Sequence, residues 1–147
     1  MRKSCDCGQE MSLDFRKVIF EGRIEIENVP ILQCESCTCG SYEVLPEVKP
    51  HLLSLIGEWR QLEGSRVIHF NEINEIASLL YDTLYTEPDS EPIEHVLERK
   101  KEDRINLLLD IYGYAKDKDD SLWMKDISER LSQLTLFHTN RQVSRIK

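Results

Sequence analysis

The chain has 147 residues, of which 40% are hydrophobic and 31% are charged, a composition typical of a folded, water-soluble protein with one ordinary domain or two small ones. Its formal net charge is −8 at pH 7. Because affinity for DNA and RNA comes largely from Lys and Arg side chains that neutralise phosphates, this charge disfavours a nucleic-acid partner. No apolar run is long enough to span a bilayer.

All five cysteines lie in two short clusters, with Cys5 and Cys7 in the first and Cys34, Cys37 and Cys39 in the second. Cys34 and Cys37 form a C-x-x-C pair, and Cys5 and Cys7 form a tighter C-x-C pair. Two thiolate pairs from distant segments are the usual ligand set of a closed, tetrahedral zinc site. We therefore predict one structural Zn²⁺ bound by Cys5, Cys7, Cys34 and Cys37.

Other uses of the cysteines stay open at this point. The stretch Ser-Cys-Asp-Cys-Gly around Cys5 is echoed by Ser-Cys-Thr-Cys-Gly around Cys37, which favours Cys39 as the alternate ligand in place of Cys34. Iron bound by four thiolates has the same spacing, and unligated or redox-active thiols are a third interpretation. A disulfide framework is disfavoured, because the number of cysteines is odd and residues 1–4 lead into the first cluster without a secretory signal. A reduced, cytoplasmic location is expected instead.

The segment between the two clusters predicts a small β-ribbon. Residues 13–20 are apolar and rich in β-prone side chains, Glu21-Gly22 interrupts them, and residues 23–27 alternate between charged and apolar. Asn28-Val29-Pro30 is expected to turn the chain into the second cluster. Residues 42–45 are expected to add a short third strand.

This ribbon, followed by Glu27-Asn28-Val29-Pro30 and by the Cys34 and Cys37 pair, resembles the zinc-binding module of the YgiT/MqsA-type family. The resemblance covers about residues 1–46, and it differs from the family pattern in its first pair, C-x-C rather than C-x-x-C, and in the additional Cys39. It implies a bound zinc ion. Members of the family include antitoxins with a helix-turn-helix domain that binds operator DNA, so the resemblance also implies an antitoxin-like or transcriptional regulator as an alternative function. The pattern of that domain is not seen after residue 46.

Apolar residues at helical spacing predict about four helices after residue 46, separated by Gly64, by the proline-rich acidic segment 86–92 and by the polar turn 117–120. The expected helices run from Pro50 to Gly64, from a cap at Asn71, from about Glu91 to Ala115, and from a cap at Asp120 or Ser121, with residues 66–70 as a strand or extended connector between the first two. The last two helices predict an antiparallel hairpin. The expected fold is therefore α+β, with a zinc-bound ribbon module in residues 1–46 and a helical domain in residues 47–147.

The sequence contains no recognisable catalytic arrangement. Its four histidines are scattered, it has no glycine-rich phosphate loop, and a closed thiolate site leaves no open coordination position for chemistry. We therefore predict a non-enzymatic, cytoplasmic zinc-binding regulator or adaptor that acts through protein–protein interaction, as a monomer or a homodimer. An enzyme that uses the long helices as a scaffold is a further alternative.

Overall fold

The computed structural model describes residues 8, 11–34, 42–86, 92–135 and 137, which form a small, mainly antiparallel sheet followed by helices. The strands are β1 (Met11–Phe20), β2 (Ile24–Cys34), β3 (Tyr42–Val44) and β4 (Arg66–His69). The helices are α1 (Lys49–Trp59), α2 (Phe70–Ile73), α3 (Glu75–Thr86), α4 (Ile93–Asp117) and α5 (Ser121–Thr135). The predicted α+β class is confirmed, with five helices in the described part of the chain rather than about four.

β1 and β2 form the expected antiparallel hairpin. Glu21 and Gly22 both have positive φ (52° and 67°), and the Arg23 N–H donates to the Phe20 carbonyl at 3.2 Å, which is a type I′ turn. This turn suits the right-handed twist of the strands, and Gly22 adopts its φ without steric cost. The turn predicted at residues 28–30 is wrong: β2 continues through them to Cys34. Asn28 has a left-handed conformation (φ 61°) where the β1–β2 register shifts between Arg16 and Val18, as at a β-bulge, so the extra residue is accommodated within the strand.

The short apolar stretch after α1 is a strand of the same sheet. β4 pairs in parallel with β2, from Ile24 opposite Arg66 to Glu27 opposite His69, while β3 pairs with the far end of β2. The guanidinium of Arg23 donates to the carbonyls of Arg60, Leu62 and Gly64 at 3.0, 2.7 and 3.3 Å. These bonds hold an irregular segment after Trp59, so α1 ends before the predicted boundary at Gly64.

The helix predicted from Asn71 is broken at Asn74, whose ψ of 127° is extended. The Asn74 Oδ1 accepts the Ala77 N–H at 2.9 Å and so caps α3. Asn71, the predicted cap, instead accepts a hydrogen bond from the Asn28 side chain at 3.1 Å. The break turns one predicted helix into α2 and α3.

α4 and α5 form the predicted antiparallel hairpin. Asp120 accepts the Trp123 N–H at 3.0 Å, as expected of the cap of α5, and Lys101 near the middle of α4 donates to the Phe137 carbonyl at 2.7 Å. None of the helices in the described part of the chain is long and apolar enough to cross a membrane. One hydrophobic core joins the sheet to the helices, and its fully buried side chains include Ile24, Ile26, Val29, Phe70, Ile76, Leu80, Leu97, Leu108, Ile127 and Leu134.

Candidate functional site

Of the five cysteines predicted as metal ligands or their alternate, the described residues include Cys34, at the end of the β1–β2 hairpin opposite its turn. Cys34 is the last residue of β2; it is 3% exposed and packs with Met11 and Leu32. The other four cysteines, Cys5, Cys7, Cys37 and Cys39, lie outside the described residues. Among the residues that are described, no three His, Cys, Asp or Glu side chains come together as a metal site. The predicted site therefore depends on segments on either side of the hairpin.

The strand register determines where those segments join the sheet. Met11 at the start of β1 is paired with Cys34 at the end of β2, so residues 5–10 and residues 35–41 adjoin the same end of the ribbon. Paired Cα atoms in an antiparallel ladder lie roughly 5 Å apart. Cys7 precedes Met11 by four residues and Cys37 follows Cys34 by three, so their Cα atoms are at most roughly 14 Å and 11 Å from the paired residues. This geometry allows both clusters to supply ligands to one ion, and a set of four thiolates fits Zn²⁺.

A second feature is a polar cleft of about 720 Å³ lined by residues of all five described helices. Glu75 is one of them, and its side chain is only 9% exposed. The Arg104 Nη1 lies 2.7 Å from one carboxylate oxygen, the Arg130 Nε donates to the other, and Gln133 accepts the Glu75 backbone N–H at 2.7 Å. One carboxylate in the first turn of α3 thus binds both helices of the hairpin. We assign this cluster a structural role, because its strongest charges are satisfied by one another.

His51 adjoins the same cleft, and its tautomer follows from the hydrogen bonds. Because Asn74 Oδ1 accepts a backbone N–H, the amide nitrogen of Asn74 faces His51 Nδ1 at 2.8 Å and must donate to it. Nδ1 is therefore unprotonated and the proton lies on Nε2. Burial lowers the pKa of His51, while Glu58 and Glu129 act in the opposite direction. The neutral imidazole is the form that supports the cap of α3.

Several large apolar side chains on the α4–α5 hairpin are exposed. Leu107, Leu109 and Tyr114 of α4 are 55%, 51% and 55% exposed, and Leu122 of α5 is 81% exposed. The ring of Tyr114 meets Trp123 edge-on at 5.9 Å between centroids. An apolar stretch in a sequence does not show how much of the helix circumference has a neighbour, and the apolar second half of α4 is only partly covered.

Glu75 is a residue whose importance sequence reasoning missed. Its two arginine partners follow it by 29 and 55 residues, too far along the chain for a local pattern to link them. The sequence does contain a signal for this contact. Arg104 and Arg130 lie on the core-facing sides of α4 and α5, and a cation in that position needs an anionic partner.

Comparisons of the chain with protein-family models, with curated proteins and with solved structures found no match. The resemblance of residues 1–46 to the YgiT/MqsA-type family stays a prediction.

Proposed function

We propose that this chain is a non-enzymatic, cytoplasmic zinc-binding regulator or adaptor that acts by contacting another protein. The observation that carries the proposal is the register of β1 and β2, which joins both cysteine-bearing segments to one end of the ribbon. The proposed ligands are Cys5, Cys7, Cys34 and Cys37, with Cys39 as the alternate. The burial of Cys34 at the strand end supports its inclusion.

Metal binding would give the ribbon a rigid end. Fixing the backbone costs roughly 1–2 kcal/mol per residue, and residues 5–10 and 35–41 have little room for a hydrophobic core of their own. Structural zinc bound by thiolates typically supplies about 10–16 kcal/mol at neutral pH. For these 13 residues the backbone cost is roughly 13–26 kcal/mol, so one zinc ion would offset a large part of the cost of ordering both segments as a contact surface.

The metal part of the proposal is tested by elemental analysis of the purified full-length chain and of five single Cys→Ser variants. We expect one zinc per chain, loss of zinc in Cys34→Ser and retention of zinc in Cys39→Ser. Retention in Cys34→Ser with loss in Cys39→Ser would replace the first ligand set by the alternate one. A chain purified without metal, or with iron, would overturn the zinc assignment.

The interaction part is tested with the zinc-loaded chain as bait in native cytosol, followed by binding measurements with each purified candidate. A partner should bind in fixed stoichiometry and bind Cys34→Ser more weakly. The alternative, an antitoxin-like or transcriptional regulator, requires binding to duplex DNA that falls steeply with salt. That result, without a protein partner, would overturn the adaptor proposal.

A further inference from the structure

The side chain of Asn74 connects α1 to the first turn of α3. Asn74 is 2% exposed, its Oδ1 accepts the Ala77 N–H at 2.9 Å, and its Nδ2 lies 2.8 Å from Nδ1 of His51. A side-chain amide has an acceptor at one end and donors at the other, so a half-turn about its last bond exchanges the two. The backbone N–H of Ala77 can only donate. The orientation of the amide therefore requires an acceptor at Nδ1 of His51.

Protonation of His51 removes that acceptor. Both ring nitrogens of an imidazolium carry a proton, so Nδ1 and the Asn74 Nδ2 would be two donors 2.8 Å apart. A half-turn of the amide replaces this repulsion by a charge-assisted hydrogen bond from Nδ1 to Oδ1, which is roughly twice as strong as a neutral one. The same half-turn places Nδ2 against the Ala77 N–H, where two donors meet again. With His51 protonated, Asn74 cannot satisfy both of its neighbours.

The charges around His51 favour an imidazolium that stays in the polar cleft. Glu58 of α1 and Glu129 of α5 act to raise the pKa of His51, against the larger effect of burial. The other charged residues that line the cleft are Glu72 of α2, Glu75 of α3, Arg104 of α4, and Asp126 and Arg130 of α5. The lining thus includes four carboxylates and two guanidinium groups, and its net charge is negative. An imidazolium is attracted by these surroundings, so it keeps its contact with Asn74.

We propose that protonation of His51 reverses the side-chain amide of Asn74, which removes the cap of α3 and loosens the contact of α3 with the α4–α5 hairpin. Glu75 follows Asn74 in the chain and lies in the first turn of α3, where it binds Arg104 and Arg130. That turn loses the acceptor of one N–H group and moves away from the reversed amide, so the two ion pairs lengthen. The cleft is narrower at neutral pH and wider in acid. The inference does not depend on the proposed zinc site.

The test follows the full-length chain by NMR between about pH 8 and pH 5, with the imidazole of His51, the backbone amide of Ala77 and the Nε–H of Arg130 as probes. All three signals should change with one midpoint. The protection of the Ala77 amide from hydrogen exchange should fall about tenfold, as expected from the loss of one helix cap. The amide of Leu108, which is buried within α4, should not change with this midpoint. An Ala77 amide that does not respond to the titration of His51 would overturn the proposal, because the imidazolium would then leave Asn74 as it is.

Two variants distinguish reversal of the amide from other effects of acid. His51→Gln keeps an acceptor beside Asn74 at every pH, so the Ala77 amide should lose its response, and a response that persists would contradict the proposal. Asn74→Asp supplies two acceptor oxygens, one for each neighbour. It should therefore keep the cap of α3 when His51 is protonated, and it should raise the pKa of His51 above its ordinary value of 6.5. The same Ala77 response in Asn74→Asp as in the native chain would show that reversal is not the cause; if this variant does not fold, the native chain and His51→Gln decide the question.

Discussion

Replacing Glu75 by Gln tests whether one carboxylate holds the helices together. The substitution keeps the size of the side chain and removes its charge, leaving Arg104 and Arg130 facing a neutral amide. An amide also offers one donor where both arginines require an acceptor. We expect the variant to fold with markedly lower stability.

The magnitude follows from the exposure of the three side chains. Breaking a buried ion pair by removing one member costs about 3–5 kcal/mol when the remaining charge stays buried. Here the Arg104 and Arg130 side chains are 21% and 39% exposed, and Arg104 has Asp82 at 3.6 Å as a second partner. Water and Asp82 offset part of the loss, which leaves about 2–3 kcal/mol and lowers Tm by about 5–10 °C for a chain of this length.

Urea unfolding followed by far-UV circular dichroism gives the free energy of unfolding directly. Glu72→Gln is the control, since Glu72 lines the same cleft on an exposed surface, and it should change the free energy by less than about 0.5 kcal/mol. Combining Glu75→Leu with Arg104→Met should cost less than the two single changes added together, because only Arg130, and no longer Arg104, is then left without its carboxylate partner. Equal stability of the Glu75→Gln and Glu72→Gln variants would refute the assignment of a structural role to Glu75.

Three further predictions concern other parts of the molecule. The pKa of His51 is lowered in the folded state. The stability that the neutral side chain contributes is therefore complete above pH 6.5, its ordinary pKa, and is lost as the pH falls from 6.5 towards the pKa of the folded state. His51→Gln should flatten this part of the stability–pH profile. Arg23→Met should cost about 1–2 kcal/mol of unfolding free energy, measured in urea, because three carbonyls after α1 lose their donor. Removal of zinc by a chelator should increase hydrogen exchange at the paired ends of β1 and β2, near Met11 and Cys34, and leave the helical signal at 222 nm largely intact.

Each of these has a control in the same chain. His95→Gln alters an exposed histidine on α4 and should leave the pH profile unchanged. Arg16→Met removes an exposed guanidinium that donates to Gln33 at 3.0 Å, and a loss equal to that of Arg23→Met would contradict the role given to Arg23. A chelated chain whose exchange at Met11 and Cys34 matches that of the metal-loaded chain would argue against a metal centre at that end.

Local patterns predicted those parts of the fold that depend on neighbouring residues. Alternation of residue type and the Glu21-Gly22 turn were sufficient for the β1–β2 hairpin, and helical spacing with the Asp120 cap was sufficient for the α4–α5 hairpin. The break at Asn74 was missed because Asn71 and Asn74 are equally good caps by type, and the choice between them depends on Asn28 and His51 from distant elements.

Long-range pairing was beyond the sequence patterns. Periodicity shows that residues 66–69 suit a strand, but it does not show that their partner is β2. The division of the chain into two domains at residue 46 stays a prediction. For the metal centre, cysteine spacing indicated the chemistry, and the strand register adds that both clusters adjoin one end of the ribbon. The choice between Cys34 and Cys39 depends on residues 35–41, which lie outside the described part of the chain.

The parallel pairing of β2 with β4 has a consequence for how the protein is made. A nascent chain can form the β1–β2 hairpin as soon as Cys34 has left the ribosome, but the other edge of Ile24–Glu27 has no neighbour until α1 and Arg66 have also emerged. During that interval an open strand edge is available for incorrect pairing with other chains. Slow translation between β2 and β4 should therefore increase aggregation, whereas pauses after residue 70 should not.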